Sequence, residues 1–296
     1  AFCRRWNAPL EGADLPTKLL HMVCSFDTIR LTGVLARLAI CYGITALLAI
    51  TVRHKHLPYI VGGLLVGYFV LLMAGNGFAY DETNILSIVD RAVLTKAHLY
   101  SDNGIDPEGL LSTLPSIAHT VLGFLIGGLL FRKADAAHQQ LDAPTSITLT
   151  KVVPLFVVGT SLLFAGYLLS YGCPINKKVW SPTYVLVTCG LASMLLALLT
   201  WIIDVKGKRR WSKFFEVFGV NPLFLFVLSD FFAIVFMAFT FPVGDEQMNV
   251  TGYVYSQLLA PIFGDYGGSL VYSLLFIALN WAIGYQLYKR KIYIKL

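Results

Sequence analysis

The sequence has few charged side chains, and this scarcity excludes a soluble globular protein. Only 14% of the 296 residues are Asp, Glu, Lys or Arg, whereas 56% are hydrophobic. Soluble domains carry about 25% charged residues. Too few polar side chains remain to cover a globule in water, so lipid must cover most of the surface. We therefore expect a polytopic membrane protein surrounded by a lipid bilayer.

Sequence motifs of common soluble enzymes are also missing. There is no Walker loop, no GxSxG, no HExxH and no GxGxxG in a strand context. The five cysteines show no C-x-x-C or Cys/His metal-binding spacing, so we expect no metal. The net charge of +6 raises the question of nucleic acid. Cytoplasmic anchoring charges explain it better in a membrane protein, and we expect no nucleic-acid partner.

Seven apolar runs are long enough to cross a bilayer, which takes about 20 helical residues. They must be helices, because lipid offers the backbone no hydrogen-bond partner. The runs cover 32–52, 57–77, 110–131, 149–171, 183–203, 216–241 and 267–288. The predicted fold is thus all-α and polytopic, with one transmembrane domain over 1–296. Asn221-Pro222 predicts a break or kink in the sixth span.

The charges in the connections predict the orientation. Four basic connections, RHKH, FRKADAAHQQ, DVKGKRRWSK and the tail YKRKIYIKL, alternate with connections that hold most of the acids. Basic connections stay in the cytoplasm. Seven crossings then place the C-terminus inside, residues 1–31 outside, and the long loops 78–110 and 242–266 outside. The pairs Gly63/Gly67 and Gly123/Gly127 have GxxxG spacing, which is typical of close helix packing.

Three ionisable residues lie within the spans. Arg37 either binds an anionic ligand group or serves structure by snorkelling or pairing, and its position allows both. His119 either acts in chemistry or hydrogen-bonds a neighbouring helix. Asp230 needs a proton or a partner, and Arg37 is a candidate on charge alone. A transporter that uses these three residues as an ion or proton relay is therefore one hypothesis.

The external segment Asp106-Pro107-Glu108-Gly109 has two interpretations. Asp at the N-cap and Pro at the first helical position are typical of a helix start. The same carboxylates, with Asp90, Arg91 and His98 upstream in the loop, are also suited to binding an amine or a sugar. Composition and spacing leave a transporter and an enzyme equally open.

Several stretches, taken together and in order, resemble a known family. They are GVLARLAICY, VDRAVLTKAHLY, DPEGLLSTLPSIAHTVLGFLIG, PINKKVWSPTYV, IIDVKG, GVNPLFLFVLS and LYKRKIYIKL. They resemble the heparan-α-glucosaminide N-acetyltransferase family of transmembrane acetyltransferases, including its bacterial members. The resemblance covers nearly the whole chain from about Arg30. DPEG before a span, followed by P-I-N-K-x-x-W-S-x-x-Y-V, is the most specific pair.

The resemblance implies an N-acetyltransferase that takes acetyl from cytosolic acetyl-CoA and passes it to a glucosamine-like amino sugar. The acceptor would lie on the lumenal or periplasmic side, and a bacterial inner membrane is the expected location. Arg37 would hold a phosphate of CoA, and Asn176 and Ser181 are candidate donors to the oxyanion. The residues that match the family on the acceptor side are Asp106, Glu108, Asn176, Lys177, Trp180 and Ser181.

One departure from the family concerns the catalytic residue. The family's active-site histidine resembles part of an H-x-x-W-x-G-like segment, and none of the six histidines here fits it. The catalytic residue therefore stays unknown, and so does the choice between a covalent acetyl-enzyme and direct transfer. The chain begins with AFCRRWNAPLEG and shows no signal peptide, so we expect early spans to be missing from it. A catalytically dead scaffold and a homodimer both remain open.

Overall fold

The computed structural model describes residues 32–100, 105–131, 142–243 and 246–294. The chain divides into two compact units, which we describe separately. In the described part of the chain, the central unit lies within residues 32–208 and the C-terminal unit within residues 209–294. The predictions for residues 1–31 fall outside the described part of the chain. The assignment of 1–296 to one transmembrane domain stays a prediction.

The central unit is built from seven α-helices in its described part. A π-helical segment, Thr148–Val152, joins the fifth helix to the sixth, and a second, Trp201–Val205, extends the seventh. Short 3₁₀ turns lie at His54–His56 and Lys96–His98. The helices are α1 (Val34–Thr51), α2 (Leu57–Ala74), α3 (Ile85–Leu94), α4 (Thr113–Leu130), α5 (Ala143–Ile147), α6 (Val153–Leu169) and α7 (Pro182–Thr200).

The C-terminal unit combines helices with one small hairpin. Its strands pair antiparallel, with Thr240 opposite Asn249. A π-helical segment, Val254–Leu259, precedes its long last helix, which is kinked at Gly264, where φ is +69°. The elements are α8 (Lys213–Val220), α9 (Pro222–Ala238), β1 (Thr240–Val243), β2 (Glu246–Asn249), α10 (Val250–Tyr253) and α11 (Ala260–Lys289).

Among the described residues, six helical stretches are long and apolar enough to cross a membrane, and counting the bent pair α8–α9 as one span gives up to seven. The predicted polytopic α-helical fold is confirmed, with the short hairpin as an addition. Part of the predicted loop 242–266 is helical, because α10 begins at Val250. The cytoplasmic location of the C-terminus stays a prediction.

The outward faces of these helices are apolar. On α1, Leu47 is 60% exposed and Ile50 is 84% exposed. Exposed aliphatic side chains along a whole helix are unfavourable in water and suit a lipid surface. The chain is accordingly an integral, multi-pass membrane protein.

The predicted break at Asn221-Pro222 is confirmed, since α8 and α9 meet there at 86°. Proline has no N–H to donate and its ring displaces the preceding turn. The buried Asn221 side chain replaces the lost contacts with bonds to the end of the chain. Its Nδ2 donates to the Ile292 carbonyl at 3.0 Å, and its Oδ1 accepts from the Ile294 N–H at 2.8 Å.

Helices α6 and α7 form the closest helix pair of the central unit, and glycines make their contact possible. A Cβ added at Gly190 would lie 2.7 Å from the Leu163 nitrogen and 2.8 Å from the Gly159 carbonyl oxygen. The GxxxG prediction chose other glycines and was wrong about their role. Gly63, Gly67, Gly123 and Gly127 have no atom within 4 Å of such a Cβ.

We expect Gly190→Ala to destabilise the protein by about 1–3 kcal/mol, because its methyl group would collide with the backbone of α6. Gly123→Ala is the matched control. It also adds a methyl group within a spanning helix, but into open space, and should cause no loss of stability. Thermal unfolding of both variants in detergent checks this. Equal melting temperatures would show that α6 and α7 do not depend on this contact.

Candidate functional site

Arg37 is buried near the start of α1, and the residue is only 8% exposed. Its Nη2 donates hydrogen bonds to the carbonyl oxygens of Pro107, at 2.7 Å, and of Gly109, at 3.4 Å. The same nitrogen donates to the Ser112 hydroxyl. In the described part of the chain, Arg37 forms no ion pair with a carboxylate. Its hydrogen-bond partners among the described residues are therefore backbone and hydroxyl oxygens.

The turn at 106–112 that receives Arg37 is organised by Asp106. The buried carboxylate accepts hydrogen bonds from the Thr32 hydroxyl at 2.7 Å, the Tyr100 N–H at 3.0 Å and the Glu108 N–H at 2.9 Å. Helix α4 begins only at Thr113, so the interpretation of Asp106 as its N-cap was wrong. Instead of capping the helix, the Asp106 carboxylate accepts from the Glu108 N–H and so closes a turn.

The loop at 174–181 is held in place at both of its ends. The Tyr68 hydroxyl on α2 donates to the Val179 carbonyl at 2.6 Å. The Ser181 hydroxyl accepts from the Asn176 N–H at 2.9 Å and caps α7 by accepting from the Tyr184 N–H at 3.3 Å. These bonds leave the loop little freedom to move.

Asn176 and Lys178 add to the structure of the same loop. The Asn176 side-chain oxygen accepts from the Lys178 N–H at 2.8 Å, which closes a second Asx turn. The Lys178 ammonium lies 4.1 Å from the centre of the Tyr80 ring, a cation–π distance. Lys177 is exposed. The structure thus shows scaffolding contacts for Asn176 and Ser181, while their predicted oxyanion role stays a prediction.

Trp180 is held in a conformation that a bulky residue rarely adopts. Its φ is +53°, in the left-handed region, where backbone strain costs of order 1–3 kcal/mol. The strained backbone directs the indole against the site: the Arg37 Cζ lies 4.9 Å from the ring centre. Such strain persists only where the surroundings enforce it, and the bonds of Tyr68 and Ser181 provide that constraint.

Arg37 and Trp180 line a cavity of about 260 Å³. The His119 ring faces the Trp180 ring with a centre-to-centre distance of 6.0 Å. Glu108 also lines this cavity, so the two family-like segments meet here. The full lining is Val34, Arg37, Leu38, Cys41, Glu108, Ser116, His119, Thr120 and Trp180.

Several polar atoms of the cavity-lining residues are buried without a hydrogen-bond partner among the described residues. They are Nε and Nη1 of Arg37, Nδ1 of His119 and Nε1 of Trp180. Unpaired donors are costly in an apolar environment. Their grouping around one cavity therefore indicates a site that takes a ligand with oxygen acceptors.

Asp90 on α3, which the sequence grouped with His98 and Arg91 as a possible ligand cluster, does not line the cavity but packs against the turn beside it. It is completely buried, and its Oδ1 accepts from the Leu110 N–H at 2.9 Å. Burial raises the pKa of Asp90 from 3.8 to about 6. The folded protein thus holds this proton more tightly than the unfolded chain, so stability is lost as the pH rises from about 4 to 6. The ionised carboxylate of Asp90 therefore lowers the stability of the folded protein.

The remaining predicted residues lie elsewhere. His98 ends the 3₁₀ turn Lys96–His98 and does not line the cavity. Asp230 is exposed on α9 in the C-terminal unit, and its pairing with Arg37 stays a prediction. Within the described ranges, no group of three His, Cys, Asp or Glu side chains could hold a metal ion.

Two curated proteins are similar to this chain, while no family model matches it. Heparan-alpha-glucosaminide N-acetyltransferase of Mus musculus is 28% identical over 252 residues, which cover 81% of this chain and 31% of that protein. The Homo sapiens protein of the same name is 24% identical over an alignment of 322 residues, covering 92% and 45% respectively. The alignments support the distant family relationship that the resemblance predicted. The chain spans less than half the length of either relative.

We expect Tyr68→Phe to lower the free energy of unfolding by about 1–3 kcal/mol, since it leaves the buried Val179 carbonyl without its donor. It should also change tryptophan emission, because the loop carrying Trp180 gains freedom. Tyr42→Phe removes a hydroxyl from a side chain that is 74% exposed and serves as the control. Unfolding of both variants is followed by fluorescence. Equal free energies of unfolding and equal emission for the two variants would contradict the role of Tyr68.

Proposed function

We propose that this chain is part of a membrane-bound acetyltransferase that moves acetyl from cytosolic acetyl-CoA to a glucosamine-like amino sugar across the membrane. One observation carries the proposal. The segments DPEG and PINKKVWS, which make the family resemblance most specific, meet at one cavity through Glu108 and Trp180. The names of the two distant relatives support the same reaction class.

The chemistry of acetyl transfer matches the groups around this cavity. A carboxylate such as Glu108 is well suited to binding the ammonium or a hydroxyl group of an amino sugar. The ammonium must then lose a proton, because only a neutral amine attacks a thioester. Attack places negative charge on the acetyl oxygen, which N–H donors stabilise. The unpaired nitrogens of Arg37 and Trp180 are donors of this kind.

The position of Arg37 refines its proposed role with acetyl-CoA. Its partners Pro107, Gly109 and Ser112 belong to the acceptor-side turn. The acetyl group must reach the acceptor, whereas the CoA phosphates lie far from the thioester. We therefore assign Arg37 to the acetyl end of the co-substrate, rather than to a phosphate as its charge alone suggested.

The other parts of the proposal follow from the relationship and the sequence. The acceptor side is lumenal or periplasmic, and the bacterial inner membrane is the proposed location. Asp106 positions Glu108 through its backbone. Roles for His98, Asn176, Lys177 and Ser181 in acceptor binding, and a homodimer, stay predictions.

A secondary transporter is the second candidate, because two helices of the C-terminal unit are interrupted. Helix α9 follows an 86° bend, and α11 is kinked at Gly264. Discontinuous helices are typical of transporter binding sites. In this hypothesis Arg37 and His119 share one cavity, whereas Asp230 belongs to the C-terminal unit. The transporter hypothesis predicts no difference between the binding of acetyl-CoA and the binding of CoA.

Calorimetry with the purified full-length protein in detergent tests the proposed function. We expect saturable acetyl-CoA binding and transfer of acetyl to glucosamine. Arg37→Ala should weaken acetyl-CoA binding about tenfold or more and free CoA binding much less, because the lost contact is to the acetyl group. If acetyl-CoA and free CoA binding were weakened equally, Arg37 would be inferred to contact a CoA phosphate instead. Unchanged affinity for both would remove Arg37 from the co-substrate site, and no binding by the folded wild type would favour the transporter.

We expect Glu108→Gln to raise the KM for glucosamine about tenfold while leaving the KM for acetyl-CoA nearly unchanged. The amide keeps the shape of the side chain but loses the charge that attracts an ammonium group. Steady-state acetyl transfer, with each substrate varied in turn, measures both constants. A variant that loses only thermal stability would show that Glu108 serves the turn and not the acceptor.

A further inference from the structure

The buried carboxylate of Asp90 is in direct contact with the turn that holds Arg37. Its Oδ1 accepts from the Leu110 N–H at 2.9 Å. Its Oδ2 lies against Gly109, where a Cβ would come within 1.8 Å of that oxygen. Only glycine leaves room for this approach. Asp90 therefore determines where the backbone of residues 109–110 lies.

The same stretch of backbone determines the position of Arg37. The Gly109 carbonyl and the Pro107 carbonyl both accept from Arg37 Nη2. A displacement of the turn would move these oxygens and, with them, the guanidinium that faces Trp180. Asp90 thus acts on the cavity through two hydrogen-bonded steps without touching it.

The groups around Asp90 do not compensate a negative charge on its carboxyl group. Its Oδ2 has no hydrogen-bond partner among the described residues. The charged and titratable groups that face it are Asp106 in the turn, Arg37 from α1 and Tyr68 from α2. Arg37 is the cation among these three, and it forms no ion pair with Asp90 in the described part of the chain. The Leu110 N–H bond can hold Oδ1 whether the carboxyl group is neutral or ionised, whereas burial without a counter-ion disfavours the ionised form.

We propose that Asp90 is a positioning residue, whose neutral carboxyl group anchors the 106–112 turn and so keeps Arg37 aligned in the cavity, and which releases that alignment on ionisation. The link to catalysis rests on the proposed function, whereas the link to the position of Arg37 does not. Burial raises the pKa of Asp90 to about 6, so the change falls within an accessible pH range. The site is then aligned below this pH and loosened above it, because the ionised form is the one that burial disfavours.

Tryptophan fluorescence tests the positioning without using enzyme activity. The emission of Trp180 is obtained as the difference between the wild type and Trp180→Phe, titrated from pH 4.5 to 8 (about 1.5 to 2 units on either side of the pKa). We expect a transition near pH 6 that is absent in Asp90→Asn. A transition that persists in Asp90→Asn would belong to another group, such as His119, and would overturn the proposal. So would the lack of any transition in the wild type.

Acetyl transfer measured at two pH values separates positioning from a general structural role. At pH 5 the wild type carries a neutral Asp90, so Asp90→Asn should match its rate to within about twofold. At pH 7.5 Asp90→Asn should be about tenfold faster than the wild type, because only the wild type carries the buried charge that loosens the turn. A variant reduced by the same factor at both pH values would show a merely structural role and contradict the proposal.

Two further variants keep the outcome interpretable. Asp81→Asn removes an exposed carboxylate from the same connection and should leave the fluorescence transition and both rates unchanged. Asp90→Glu retains a titrating carboxylate if Asp90→Asn does not fold, and should keep a transition at a shifted pH. If no protein transfers acetyl but the Trp180 transition depends on Asp90, the proposed function fails and the positioning role stands.

Discussion

The hydrogen bonds from Arg37 to the turn at 106–112 are the interaction on which the rest of the site depends. One nitrogen of this buried guanidinium reaches Pro107, Gly109 and Ser112, and its face lies against Trp180. The start of α1, the entry to α4 and the loop before α7 are joined through a single side chain. A cation in an apolar environment needs such partners, because leaving it unpaired is expensive. This requirement draws the three segments together and creates the cavity between them.

Several features of this region reduce stability, and their coincidence indicates function. Trp180 has a strained backbone, Asp90 is a buried carboxylate with a raised pKa, and three side chains have unpaired polar atoms. Each is unfavourable alone, and all of them surround one cavity or the turn beside it. Proteins retain such unfavourable groups mainly where a ligand or a reaction uses them. The surrounding hydrogen bonds of Asp106, Tyr68 and Ser181 make the arrangement possible.

The family-like residues divide into two groups that a motif alone cannot separate. Glu108 and Trp180 line the cavity, whereas Asp106, Asn176 and Ser181 form hydrogen bonds that hold their loops in shape. Short polar side chains close turns and cap helices by the same hydrogen bonds that bind ligands. The glycines illustrate the same difficulty. GxxxG spacing pointed to α2 and α4, but the close contact lies between Gly159 and Gly190, whose partner helix the spacing cannot identify.

The sequence by itself determined the membrane class, the approximate number and limits of the spans, the break at Asn221-Pro222 and the distant family. These properties follow from composition and from neighbours along the chain, since a bilayer demands about 20 apolar residues and proline breaks a helix locally. Only the tertiary structure decided that Arg37, Glu108, His119 and Trp180 share a cavity, that Asp90 supports it, and that His98 does not line it. Those relations join residues up to 143 positions apart, as Arg37 and Trp180 show. Distances across such separations depend on how helices pack, which local pattern does not specify.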